Sequence, residues 1–158
     1  MSEKDFLAHL KEHQRIVYKL VNIYARDPDD KKDLQQEIIL QAWKSYAKFK
    51  GESKFSTWLY RLSLNTILTM RRRPAAVEYR DDLETLNGVS SPFDIQDNAE
   101  LLYNAIRRLD DTEKAVISLH LEGYDNKEIA DIIGITANLV AVKVHRIKQK
   151  LAEILKKI

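Results

Sequence analysis

Cysteine is absent from the 158 residues, proline occurs three times and glycine four times. Without thiols there is no disulfide framework, no thiolate metal site and no cysteine nucleophile. With so few helix breakers, and with strand-like alternation nowhere sustained, the chain reads as all-α. Long apolar runs are missing too. No stretch approaches the ~20 apolar residues of a membrane span, and the amino-terminal MSEKDFLAHLKEHQ has no apolar segment of signal-peptide length. The expectation is a cytoplasmic protein with no direct membrane insertion. The G-x-x-x-x-G-K-[ST], G-x-G-x-x-G and G-x-S-x-G patterns are likewise absent, and no cofactor is expected.

What the chain does have is charge, unevenly placed around a net of +2. From Met1 to Arg73, 15 Lys and Arg face 9 Asp and Glu. From Pro74 to Asp97 one Arg faces six acids, and from Asn98 onward ten bases face nine acids. Such asymmetry predicts separate segments with separate partners. Residues 74–97 show no helical period, contain Pro74, Pro92 and the Asn87-Gly88 turn signal, and are long for a structureless loop inside one compact domain. The expected organisation is two small helical domains, 1–73 and 98–158, joined by a flexible acidic linker over 74–97.

Three helices are expected in the first domain. One starts after Ser2 as N-cap, carries the apolar stripe Phe6, Leu10, Val17, Leu20, Val21 and Tyr24, and stops at Asp27-Pro28. The next, capped by Asp29 or Asp30, runs to about Lys48 with Leu34, Ile38, Ala42 and Tyr46 inward. Its other face carries Asp33, Gln36, Glu37 and Leu40, which suits either plain solvated surface or docking of a basic partner. Gly51 interrupts, Ser56 is expected to cap the third helix, Leu59, Leu62 and Thr66 share one side of it, and Pro74 ends it.

The chemistry of this half lies between Phe49 and Arg73. Phe49, Lys50, Lys54 and Phe55 alternate rings with charge, Trp58, Tyr60 and Arg61 follow, and three arginines close the stretch. Rings on which bases stack, interleaved with cations that track phosphates, suit unpaired nucleic acid. The same spacing also suits a core helix with a solvated basic end. Asn65 has poor helix propensity and needs a partner, either a neighbouring loop or a base.

The second half is punctuated by capping-box signals at Asp97/Glu100, Asp110/Glu113 and Asp125/Glu128. A helix ends at Gly123. Ile129, Ala130, Ile132 and Ile133 then pack a short helix, Gly134 supplies a positive-φ turn, and Thr136 caps a longer helix with Val140, Val144, Ile147, Leu151, Ile154 and Ile158 as its apolar positions. Short helix, glycine turn and longer basic helix make a helix-turn-helix, with Lys143, Arg146, Lys148 and Gln149 outward for phosphates and base edges. A basic helical hairpin would share these cues.

One enzymatic pattern occurs. His9, Glu12 and His13 spell H-x-x-E-H, the spacing of an inverted zinc peptidase. His120 and His145 are distant in sequence and no carboxylate identifies itself as a third ligand, so neither an enzyme nor a metal site is expected.

Together, DKKDLQQEIILQAW (Asp30 to Trp43), FKGESKFSTWLYRLSLN (Phe49 to Asn65) and EGYDNKEIADIIGITANLVAVKVHRIKQKL (Glu122 to Leu151) resemble the bacterial extracytoplasmic-function (ECF) sigma factors, two-domain members of the sigma-70 family. The resemblance spans nearly the whole chain. It implies that Asp33, Gln36, Glu37 and Leu40 bind the beta-prime clamp of RNA polymerase core, and that the beta subunit is a further contact. It implies that Phe49, Lys50, Ser53, Lys54, Phe55, Trp58, Arg61 and Asn65 open the minus-ten promoter element and capture an unstacked base. It assigns residues 74–97 to the RNA exit path and a recognition helix from Ala137 to Lys150 to the minus-thirty-five element, with Asn138, Lys143, His145, Arg146 and Lys148 on DNA. An anti-sigma factor is an implied partner. The chain departs from the family pattern at Asn138 and Leu139, where glycine and threonine are common, and at Ala141 and Val142, where polar or basic readers are common. The competing expectation is a stand-alone helix-turn-helix regulator, which leaves the loop at Phe49 without a purpose.

Overall fold

The computed structural model describes residues 3–51, 53–72 and 97–156. Among these are seven α-helices and no strand: α1 Glu3–Tyr24, α2 Pro28–Tyr46, α3 Phe55–Arg72, α4 Asp97–Ile106, α5 Asp111–Leu121, α6 Asn126–Ile133 and α7 Ala137–Lys156. The chain divides into two compact units, residues 1–89 and 90–158, the first holding α1 to α3 and the second α4 to α7. The expected linker, apart from Asp97 at the start of α4, lies outside the described residues, as do the expected cap Ser2, the expected terminator Pro74 and Ile158.

In the first unit the three helices pack pairwise. Leu20 and Val21 of α1, Leu34, Ile38 and Ala42 of α2, and Leu59 and Ile67 of α3 are essentially inaccessible to water. Leu10 and Leu62, expected on the inward stripes, are only half-buried. The reason for Leu10 lies three residues on. Helix α1 is kinked at His13 (φ −115°, ψ 17°), so its apolar face is reset between Phe6 and the buried stripe of Ile16, Val17, Leu20, Val21, Ile23 and Tyr24.

Two caps fall earlier than expected. Asp27, in extended backbone, is the N-cap of α2, and its carboxylate accepts the Asp30 amide at 2.8 Å. Pro28 therefore occupies the first turn, where its missing N–H costs nothing and its fixed φ suits the helix. The same proline both stops α1 and starts α2. Helix α2 ends at Tyr46 with Ala47 as its C-cap, two residues short of Lys48. Helix α3 begins at Phe55, with the Trp58 amide donating to the Lys54 carbonyl at 3.0 Å, so Ser56 sits inside the first turn and not at the cap.

The second unit is built around α7, which packs on α4, α5 and α6. Ile106, Ile117, Leu119, Ile129 and Ile147 are its largest fully buried side chains. Both internal capping boxes are present: Asp110 with Glu113, and Asp125 with Glu128, each pair exchanging a side chain–amide bond in both directions between 2.7 and 3.0 Å. Gly134 takes φ +90° at the end of α6, and its amide donates to the Ala130 carbonyl at 2.8 Å. Thr136 Oγ1 then accepts the Leu139 amide at 3.1 Å, opening α7. Ile129 and Ala130 of α6 are buried, whereas Ile132 and Ile133 are half-buried.

Candidate nucleic-acid interface

A chain turn from Ala47 to Lys54 brings the start of α3 back to the end of α2. Gly51 permits it, at φ +75°. This turn gathers rings from three helices into one cluster. Phe55 is buried at the centre, 4.9 Å from the His9 ring in a stacked arrangement, and 5.3 Å from both His13 and Trp58. Phe49 lies edge-on to Phe55 at 5.9 Å and tilted to Trp58 at 5.2 Å, while Tyr46 closes the cluster behind them. Aromatic pairs at such separations add about 0.5–1.5 kcal/mol each beyond area burial. The cluster therefore holds the turn in place.

The expected stacking residues thus divide. Phe49 and Trp58 are half-buried and keep part of their rings open, whereas Phe55 is enclosed and backs the other two. Lys50, Ser53 and Lys54 are exposed on the turn. His9 and His13 are spent on Phe55, with His13 Nε2 also 3.9 Å from Glu12 Oε1. Among the described residues no group of three or more His, Asp or Glu side chains is placed to hold a metal ion.

Beside the cluster lies a pocket of about 440 Å³ between α2 and α3. One wall is the row Glu37, Gln41 and Ser45; the other follows α3 through Trp58, Arg61, Asn65 and Thr69, together with Leu62, Thr66 and Met70. Each wall follows the three- and four-residue spacing that aligns side chains on one helix face. Three expected residues, Trp58, Arg61 and Asn65, therefore converge on one cavity. A ring, a guanidinium, an amide, a carboxylate and hydroxyls surround a space large enough for a nucleobase, offering it one stacking face and both donors and acceptors at its edge.

Glu37 belongs to this wall as well as to the expected docking face. It is half-buried, and Gln41 Nε2 donates to its carboxylate at 2.8 Å. Asp33, Gln36 and Leu40 are exposed, next to the exposed Ile39 and Trp43. Sequence reasoning missed Gln41, Ser45, Thr66, Thr69 and Met70. Gln41 was within reach of it, one turn on from Glu37; the pairing of the two helices was not. Arg71, read as part of the basic end, donates to the Tyr24 carbonyl at 3.1 Å and so ties α3 to the end of α1.

In the second unit, Asn138, His145, Arg146 and Lys148 are exposed on α7 and Lys143 is half-buried. Opposite them Val140, Val144, Ile147 and Leu151 are buried. Asn138, His145 and Arg146 thus occupy the outer face of the second helix of a helix-turn-helix, whereas Lys143 and Lys148 flank its buried stripe.

Residues 9–76 match the family profile "Sigma-70 region 2", and residues 99–151 match "Sigma-70, region 4". The chain belongs to the sigma-70 family. Among its relatives, "ECF RNA polymerase sigma factor SigG" of Mycobacterium tuberculosis is 31% identical over 176 residues, covering 93% of this chain and 48% of the relative. "ECF RNA polymerase sigma-E factor" of Haemophilus influenzae is 29% identical, covering 93% and 85%. This sigma-70 chain therefore spans about half the length of the SigG relative, although most of the sigma-E one. Its fold is similar to that of the sigma factor RpoE of Bartonella quintana, solved with the anti-sigma factor NepR (TM-score 0.69, 20% identity, 97% and 98% of the two chains). It is also similar to CnrH solved with the cytosolic domain of CnrY (TM-score 0.70, 20% identity, 99% and 90%). No helix among the described residues of this sigma-70 protein is long and apolar enough to cross a membrane.

Proposed function

We propose that this protein is an ECF sigma factor: a cytoplasmic, non-catalytic subunit that binds RNA polymerase core and directs initiation at particular promoters. Residues 1–73 act as the domain that docks on polymerase and opens the minus-ten element, 74–97 as the linker, and 98–158 as the reader of the minus-thirty-five element. The exposed Asp33, Gln36 and Leu40, with Glu37 at the pocket's rim, meet the beta-prime clamp, and the beta subunit is a further contact. Lys50, Ser53 and Lys54 follow the displaced strand, Phe49 and Trp58 offer stacking faces, and an unstacked base enters the pocket against Trp58, Arg61 and Asn65. Phe55 acts from behind. In the second unit α7 enters the major groove, with Asn138, His145 and Arg146 towards the bases and Lys143 and Lys148 towards the backbone.

The observation that carries this reading is the convergence of Trp58, Arg61 and Asn65 on one base-sized cavity adjoining the acidic face of α2. A stand-alone operator-binding regulator has no use for such a cavity. An anti-sigma factor belongs to the proposal, since the similarly folded RpoE is solved in complex with one. The test is transcription from a library of promoter fragments by purified core polymerase, with and without the protein. Initiation at a shared pair of sequence elements, dependent on the protein, is expected. If core polymerase neither binds the protein nor gains selectivity, while the protein alone shifts duplex DNA, the stand-alone regulator replaces this reading.

A further inference from the structure

Helix α7 exposes two apolar side chains among its charges, Leu139 at 41% and Val142 at 43%. Their position can be read from the buried stripe. Val140, Val144, Ile147 and Leu151 face the core. Moving each back by two residues gives Asn138, Val142, His145 and Gln149, all exposed. At about 100° per residue that shift is roughly 200° around the helix, so this second stripe is the outermost line of α7. Val142 lies in its middle, with Leu139 at its edge one turn earlier. Lys143, by contrast, lies towards the core side and is half-buried.

We propose that Val142, with Leu139 beside it, is a specificity-determining residue that reads the C5-methyl group of thymine in the major groove. The inference rests on the reading of α7 as a promoter-binding helix and adds what that helix recognises. The surroundings select the occupant: His145 and Arg146 stand one turn from Val142 and are both exposed, so the face is complementary to a polyanion. Of the groups that the major groove presents, the thymine methyl is the apolar one, and branched aliphatic side chains meet it by dispersion and exclusion of water. Asn138, one turn earlier on the same stripe, carries the amide that bonds adenine at N6 and N7. The two residues together fit A·T pairs.

The test uses the full chain with core polymerase and duplex promoter fragments that it selects from a random library. Each thymine in the upstream element is replaced in turn by deoxyuracil, which keeps base pairing and removes only the methyl group. At one or two positions affinity should fall roughly fourfold, the equilibrium equivalent of one buried methylene. Val142→Ala should bind thymine and uracil fragments alike there, and Leu139→Ala should weaken the discrimination. Both sites are exposed on a helix and alanine favours helix, so both variants should melt as the parent does. Equal binding of thymine and uracil fragments at every position, or full discrimination in Val142→Ala, overturns the inference while leaving promoter selectivity intact. A concentration-dependent dimer that Val142→Ala abolishes, with no methyl dependence, assigns the face to a second copy and also overturns it. Loss of all promoter selectivity defeats the sigma reading itself.

Discussion

Lys150 Nζ lies 2.6 Å from Glu113 Oε2, and the other oxygen of the same carboxylate accepts the Asp110 amide at 3.0 Å. One largely buried carboxylate therefore closes the capping box of α5 and holds a lysine on α7, although 37 residues separate the pair in sequence. Lys150, which the sequence places at the end of the recognition helix, is thereby a brace for that helix within its own unit. Its side chain remains more than half exposed.

This brace has a pH signature. The hydrogen bond to Glu113 raises the Lys150 pKa above its ordinary value of 10.5, with burial opposing and the Glu113 and Asp110 charges adding to the rise. A folded-state pKa raised above the unfolded one contributes stability that is fully present below the unfolded value and is lost as pH rises through the folded value. Lys150→Met should therefore melt slightly below wild type at neutral pH, and the two should converge above pH 10.5. Paired thermal melts across that range check it. A difference that persists undiminished at high pH would show that packing, not charge, makes the contribution.

Gly134 tests the turn between α6 and α7. A Cβ there would meet nothing within 4 Å, so space is not the constraint. At φ +90° the strain of a side chain in left-handed backbone remains, and Gly134→Ala should cost about 1–2 kcal/mol in urea unfolding of the second unit. An unchanged midpoint would mean that the turn relaxes to negative φ.

The pocket makes opposite demands on two of its residues. Trp58 is part of the ring cluster, so Trp58→Ala should lose about 1–3 kcal/mol of stability as well as promoter opening. Asn65 is exposed, so Asn65→Ala should melt within about 0.5 kcal/mol of wild type while opening falls. Reactivity of unpaired thymines to permanganate, measured alongside thermal melts, separates folding from function. Wild-type opening by Asn65→Ala removes Asn65 from the site.

The docking face is tested most cleanly away from the pocket. Leu40 stands 45% exposed; Leu40→Asp should leave the melting curve nearly unchanged and weaken polymerase binding by about tenfold or more. Glu37→Lys should also weaken binding, but it breaks the bond from Gln41 and alters the pocket wall, so opening should fall even at saturating polymerase. Unaltered affinity in Leu40→Asp would move the docking face elsewhere on the unit.

The local sequence alone determined the all-helical character, the capping boxes at Asp110 and Asp125, the positive-φ turn at Gly134, the Thr136 cap and the stripe from Val140 to Leu151. These depend on interactions between residues within a few positions of one another, so residue type and spacing carry them. Where two local signals competed, the outcome was less legible. Asp27, Asp29 and Asp30 all suit an N-cap, and the choice of Asp27 follows from Pro28, whose ring fits the first turn of α2. Only the tertiary structure decided which rings are open and which are enclosed. Phe49, Phe55 and Trp58 look alike in a motif, yet Phe55 alone is buried, because the kink at His13 and the turn at Gly51 bring α1 and α3 together around it. The same holds for the pocket and for the brace on Lys150. Glu37 and Asn65 line one pocket, and Glu113 meets Lys150, across distances in sequence that no periodicity spans, and such juxtapositions exist only once the apolar stripes of separate helices have found one another.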